Sequence, residues 1–203
     1  MTNNDSIFEE IKDAIAQYAG SKDNFFSDFN SIPKEQKEER RRKKAELVSD
    51  LQAGLAEELK KITDNTAWIW KTEHVLISES GRDKADIYGV TTDGKYQVII
   101  ELDPHRADAI AKKFTSRIAA VLQRGNVSKA EDENDPNKIV QQGIDKIHAL
   151  KALYVIFVYL GTDKMSVNET KKYIDYCKAI GKHVGIEVVD YHTSDLDEKW
   201  RKR

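Results

Sequence analysis

The stretch QVIIELDPHR, residues 97–106, puts two carboxylates where a buried strand should end. Val98, Ile99, Ile100 and Leu102 read as apolar strand, yet Glu101 and Asp103 interrupt it before Pro104 stops it. A third carboxylate, Asp86, lies in the preceding apolar stretch ADIYGV. Between the two stretches stands Thr92-Asp93-Gly94, and Asp-Gly is a strong two-residue hairpin signal. If Asp93 and Gly94 form the loop, paired positions sum to 187. Asp86 then faces Glu101, Tyr88 faces Ile99, and Lys84 faces Asp103. A three- to five-residue loop is expected to change this register.

Directly opposed strand residues have β-carbons about 4.5–5.5 Å apart, and like charges there are unfavourable. Two carboxylates at about 4 Å repel by roughly 4 kcal/mol at an effective dielectric near 20. A shared proton, a lysine or arginine, or a divalent cation would relieve the pair. Magnesium and similar hard cations prefer carboxylate oxygens and keep waters in their remaining positions. A metal-bound water can attack a phosphodiester.

The elements that must position these groups follow from periodicity. Residues 6–18 read as an amphipathic helix. Pro33 opens a long one, with Val48, Leu51, Leu55, Leu59 and Ile62 on one stripe. The first half of that helix, KEQKEERRRKKAE, is nearly all charge: a solvated face, or an arm for phosphates. Strands are expected at 74–78, 85–90 and 96–103. Trp68 and Trp70 precede the first, to pack on the core or stack on bases. A helix follows Pro104, with Ala107, Ile110, Ala111, Phe114, Ile118, Val121 and Leu122 on one face. Residues 126–137 read as a mobile acidic loop and 138–149 as a short helix. The unalternating apolar run 152–160 suits a central strand. A helix at 168–180 and a strand at 183–191 complete a parallel crossover.

This order resembles the PD-(D/E)XK nuclease superfamily: a helix carrying a glutamate, three strands, an Asp on the second, Glu-x-Lys ending the third, a helix and a fourth strand. The resemblance covers roughly residues 46–160. Asp86 looks like the motif's aspartate and Glu101 like its second carboxylate. Asp103 departs from the pattern, because it stands at the usual lysine position. The resemblance implies an α/β fold with a mixed central sheet of about five strands flanked by helices, restriction-endonuclease-like, with residues 1–32 as an N-terminal helical extension and 33–203 as the nuclease-like domain. It implies magnesium, or manganese, held by Asp86 and Glu101, with Asp103 as a third ligand or a group that positions water. Glu58 is the candidate for an additional metal-supporting glutamate; Glu57 points away from the stripe, and Glu73 competes.

Lys84 is one source for the missing lysine, or else a plain ion-pair partner of Asp103. Lys113 is the preferred surrogate, to polarise phosphate or water. Arg106, Lys113, Arg117 and Arg124 are spaced seven, four and seven apart. At about 100° per residue they fall within about 20° of one line. Such a stripe meets phosphates or is ordinary solvated charge. His105 positions water, contacts substrate or simply lies at the surface.

The function expected is a divalent-metal-dependent DNA endonuclease, with a type II restriction endonuclease as one candidate and a homodimer as the form suited to symmetric duplex sites. The rival is a catalytically inactive nuclease-like domain that binds nucleic acid or a protein partner. The net charge of -2 over 203 residues assigns no partner by itself, so any nucleic-acid contact must be local. Cys177 is the lone cysteine, which excludes a disulfide framework or thiolate zinc cluster. Asn3, Asn4 and Asp5 stand where a secretory signal would need a basic start. No apolar run is long enough to span a bilayer, so a reducing cytoplasm and no membrane contact are expected. No P-loop, Rossmann glycine pattern, H-E-x-x-H or serine elbow occurs, and no nucleotide cofactor is expected.

Overall fold

A computed structural model describes residues 6–22, 25, 27–63, 68–78, 81–103, 107–122, 128–132, 135–142, 151–159 and 167–193. The chain is an α/β protein. Its main sheet has five strands in the order β1-β2-β3-β6-β7. The strands β1 (Trp68–Ser78) and β3 (Tyr96–Asp103) each pair antiparallel with β2 (Gly81–Thr91) between them. β6 (Lys151–Val158) pairs parallel with β3, and β7 (Ile186–His192) parallel with β6. Parallel neighbours require a crossover, which α4 (Ala107–Leu122) helps to supply after β3 and α5 (Val167–Val184) after β6. A separate two-stranded sheet is made by β4 (Ser128–Asp132) and β5 (Asp135–Gln142).

Helices cover both faces. On one face α1 (Ser6–Gly20), the short α2 (Ser27–Ser31) and α3 (Lys37–Ile62) contribute Phe8, Ile11, Ile15, Phe29, Leu51, Leu55 and Leu59 to a core with Val98, Ile100, Leu102 and Val155. Residues 6–20 therefore share the core of the sheet. Tyr18 donates to the Leu51 carbonyl at 3.0 Å, and Lys12 pairs with Glu187 of β7 at 2.7 Å. On the other face α4 and α5 bring Ile110, Phe114, Ile118, Ile174 and Cys177 against Tyr88, Ile99, Tyr154 and Ile156. Strands β3 and β6 are buried on both sides, which is why their sequences show no polar alternation. No helix among the described residues is long and apolar enough to cross a membrane.

Two expectations are corrected. Residues 128–132 and 135–142 are strands, where a mobile acidic loop and the start of a helix were expected. Ala130 pairs with Val140 and Glu131 with Ile139, and β-branched residues favour such a ladder over a helix. The last strand begins at Ile186, because α5 runs on to Val184. Gly185, at φ +77°, takes the left-handed conformation that closes a helix without a Cβ penalty.

The hairpin loop also differs from the two residues expected. Four residues, Thr92 to Lys95, separate the strands; Gly94 donates its amide to Thr91 O at 2.8 Å and has φ +71°. The register still sums to 187, with Ile87 opposite Ile100 and Tyr88 opposite Ile99. The loop has widened by one residue on each side, so the pairing is unchanged.

A carboxylate cluster closed by Lys113

The β2–β3 ladder stops at Ile87–Ile100, one residue short of the expected Asp86–Glu101 pair. Beyond it the strands separate. Asp86 Oδ2 accepts the amide of Leu102 at 2.7 Å, so a side chain replaces a ladder bond. The neighbouring strand is distorted at the same level. Glu73 has φ +50°, and the β1–β2 pairing passes from Thr72–Ile87 to His74–Ala85 without a Glu73–Asp86 pair. Left-handed backbone is uncommon for a residue other than glycine, and such positions concentrate at functional sites. The side chains change faces there: Ala85 and Ile87, two residues apart, lie in opposite cores, as do Trp70 and Leu76. Ideal strand alternation would put each pair on one face.

Glu101 and Asp103 follow Ile99 on the face covered by α4, and both side chains have no solvent exposure. α4 packs through Ile110, Phe114 and Ile118, which leaves Lys113 and Arg117 beside that stripe, one turn apart. Lys113 Nζ lies 3.0 Å from Asp86 Oδ2, 3.0 Å from Glu101 Oε2 and 3.5 Å from Asp103 Oδ1. It also donates to the Leu102 carbonyl at 3.1 Å. Arg117 Nε donates to Glu101 Oε1 at 2.7 Å; its Nη1 meets Asp83 at 2.7 Å, and its Nη2 donates to the Lys84 carbonyl.

The three carboxylates around Lys113 exceed the charges of Lys113 and Arg117 by one if all are ionised, and Arg117 is shared as well with the half-exposed Asp83. Burial pushes the Glu101 carboxyl up to about 7; Lys113 pulls it down and Asp86 raises it again. Burial likewise pushes Asp103 up to about 6, opposed by Lys113. Burial disfavours the Lys113 ammonium, but Asp103, Glu101 and Asp86 outweigh that and hold its pKa above the ordinary lysine value. The lysine is therefore firmly charged while two of its partners sit near their protonation points.

The cluster suits a hard cation in its chemistry. From the described residues, Glu101 Oε2 and both Asp103 oxygens accept no hydrogen bond. Their approach to Lys113 is one of charge, without hydrogen-bond alignment for Glu101 Oε2. Buried oxygens of this kind are what magnesium ligation satisfies. Among the described residues, however, no three acidic, histidine or cysteine side chains surround a point that could take a metal as they stand. The point that Asp86, Glu101 and Asp103 surround is held by the Lys113 ammonium.

The other sequence candidates are distributed as follows. Lys84 does not meet Asp103; it is exposed and pairs with Glu73 at 3.6 Å, because β2 turns away from β3 before reaching it. Arg117 is 6% exposed, so its guanidinium is turned to Glu101 and Asp83 and away from the solvent-facing phosphate stripe expected of it. Glu58 pairs with Lys61 at 3.5 Å along its own helix. The α3 residue that does reach this region is Gln52, whose Nε2 donates to Asp86 O at 2.5 Å and to Glu73 Oε1 at 3.2 Å. Nothing in its local sequence marks Gln52, which stands between Leu51 and Ala53. His105, Arg106 and Arg124 lie outside the described residues. Trp68 and Trp70 stack on each other at 5.4 Å, with Trp70 buried and its Nε1 bonded to Thr63.

Comparison of the chain with protein-family models, with curated proteins and with solved structures finds no match. The cluster must be read from its own chemistry.

Proposed function

We propose that the protein is a divalent-metal-dependent phosphodiesterase that cuts DNA, built on the plan of the PD-(D/E)XK nucleases. The observation that carries this reading is the convergence of Asp86, Glu101 and Asp103 on Lys113 at 3.0–3.5 Å. Asp103 stands where the family pattern has lysine, and an ammonium from α4 reaches the same place. The order of elements in the main sheet supports it further: a helix, three strands each antiparallel to the next, a helix and, after the separate β4–β5 hairpin, a fourth strand parallel to the third.

In this reading Asp86 and Glu101 hold magnesium or manganese, and Asp103 is a third ligand or orients water. The ion, when bound, supplies an activated water and stabilises charge on the attacked phosphate. Arg117 keeps Glu101 Oε1 engaged and so directs Oε2 toward the shared centre. The Leu102 amide binds Asp86 Oδ2, the same oxygen that meets Lys113, and so holds that oxygen at the shared centre. Lys113 brings a positive charge to the edge of a largely buried site, where it acts on a phosphate more strongly than in bulk water. A type II restriction endonuclease acting as a homodimer fits a protein of this size that must cut both strands of a symmetric site.

The experiment is cleavage of supercoiled plasmid with magnesium, manganese or chelator. Metal-dependent nicking by wild type, lost in Asp86→Asn and Lys113→Met, is the expected result. One observation favours a second reading, an inactive nuclease-like domain that binds nucleic acid or protein: Lys113 and Arg117 already compensate two of the three charges. No cleavage with any metal, together with retained duplex binding, would favour that reading.

A further inference from the structure

We infer that Lys113 and a divalent cation occupy the carboxylate cluster in turn, so that the metal enters as the lysine leaves. The inference rests on the metal-dependent reading above and concerns what that reading requires of this chain. The ammonium is central to the cluster: Asp86, Glu101 and Asp103 lie 3.0, 3.0 and 3.5 Å from Nζ. As they stand the three carboxylates are not set around a metal; to share one they would have to close on the space that Nζ now holds. A metal ion and an ammonium cannot both fill it, through overlap and like charge alike.

Charge counting favours the exchange. Leaving aside Asp83, which also pairs with Arg117 but is half-exposed and screened by solvent, the three carboxylates around Lys113 sum with Arg117 and Lys113 to -3 + 2 = -1. Replacing the ammonium by a divalent ion gives -3 + 1 + 2 = 0. Keeping both gives +1 in a site whose Glu101 and Asp103 are fully buried. Neutrality is the arrangement that a low-dielectric interior favours.

The construction of α4 permits the exchange without moving the helix. Arg117, one turn further along, remains bonded to Glu101, Asp83 and the Lys84 carbonyl. Ile110, Phe114 and Ile118 keep the helix seated. The Lys113 side chain is flexible and 27% exposed, so its ammonium has a way out toward solvent. Once released, the charge is available to a substrate phosphate beside the metal. Lys113 thus serves as the resident counter-ion of the empty cluster and as a cationic group for the substrate in the loaded one.

The consequence is a tighter metal site when the lysine is absent. Manganese is titrated calorimetrically into wild type and Lys113→Met, without nucleic acid. The expected result is at least a tenfold lower Kd for the variant. Equal or weaker binding by the variant, with wild type binding, overturns the exchange and leaves the metal site standing. No binding by either protein overturns the metal site and the exchange together. A second measurement uses wild type alone, in case the variant fails to fold. The rate of reductive methylation at Lys113, followed by mass spectrometry, should rise severalfold with manganese relative to chelator. An unchanged or lower rate, with manganese bound, overturns the exchange.

Discussion

Arg117 Nε lies 2.7 Å from Glu101 Oε1, and both side chains are buried. This pair fastens α4 to the end of β3. It also determines the aim of Lys113, which precedes Arg117 by one helical turn and therefore leans over the same strand end. The arginine that the helical stripe offers as a phosphate contact is a structural partner of the carboxylate cluster.

Arg117→Ala should therefore act first on stability. Removing one member of a buried ion pair typically costs about 3–5 kcal/mol, because the other charge is left without compensation. Urea denaturation should show that loss, and Arg117→Lys should recover part of it. A variant as stable as wild type, with a flatter salt dependence of DNA binding, would return Arg117 to the phosphate stripe.

The buried carboxyls give metal-free stability a pH dependence of definite sign. Glu101 titrates near 4.5 when not perturbed and near about 7 in the fold; for Asp103 the values are 3.8 and about 6. Both folded values are raised, so the folded state holds these protons more tightly than the unfolded chain. Their contribution is complete below the unfolded values and is lost as pH rises through about 6 to 7. Melting temperatures in chelator between pH 4 and pH 8 should fall more steeply for wild type than for Asp103→Asn. Parallel profiles would contradict the shift.

Gln52 is expected to hold the Asp86 segment in place. Its amide donates to Asp86 O and Glu73 Oε1 where the β1–β2 ladder skips one pair. Gln52→Ala should cost about 1–3 kcal/mol, the penalty of leaving a part-buried carbonyl without its donor. Gln52→Glu should cost at least as much, since it sets an acceptor against two acceptors. Thermal denaturation separates the two; a neutral Gln52→Glu would remove this role.

Gly89 matters through space, not through backbone freedom. A Cβ there would come within 2.6 Å of Trp70 Cε3 and 2.7 Å of Cη2. Gly89→Ala should destabilise by about 1–3 kcal/mol through overpacking, with a change in tryptophan fluorescence as Trp70 moves. Unchanged fluorescence and stability would show that the ring repacks without cost.

Local pattern made much of this molecule legible. The apolar run of 96–103 matched β3, and the helical period after Pro104 matched the described span of α4. The hairpin register was readable because an even widening of the loop preserves it. The placement of Lys113 and Arg117 beside the apolar face of α4 was readable because helical geometry sets residues four apart on one side whatever the helix packs against. These features depend on periods and turns, which the chain specifies over a few residues. Tertiary structure decided the rest. Lys84 and Lys113 were both plausible partners for Asp103, and only the docking of α4 over β3 put Lys113 at 3.5 Å while β2 turned Lys84 toward Glu73. Asp86 and Glu101 share Lys113 without facing each other in a ladder, because a side-chain bond to Leu102 replaces the pairing. That departure reverses the faces of β1 and β2, and no alternation rule anticipates it. The position of a charge in a buried cluster depends on how distant elements pack, since burial and neighbouring charge act through space and not along the chain.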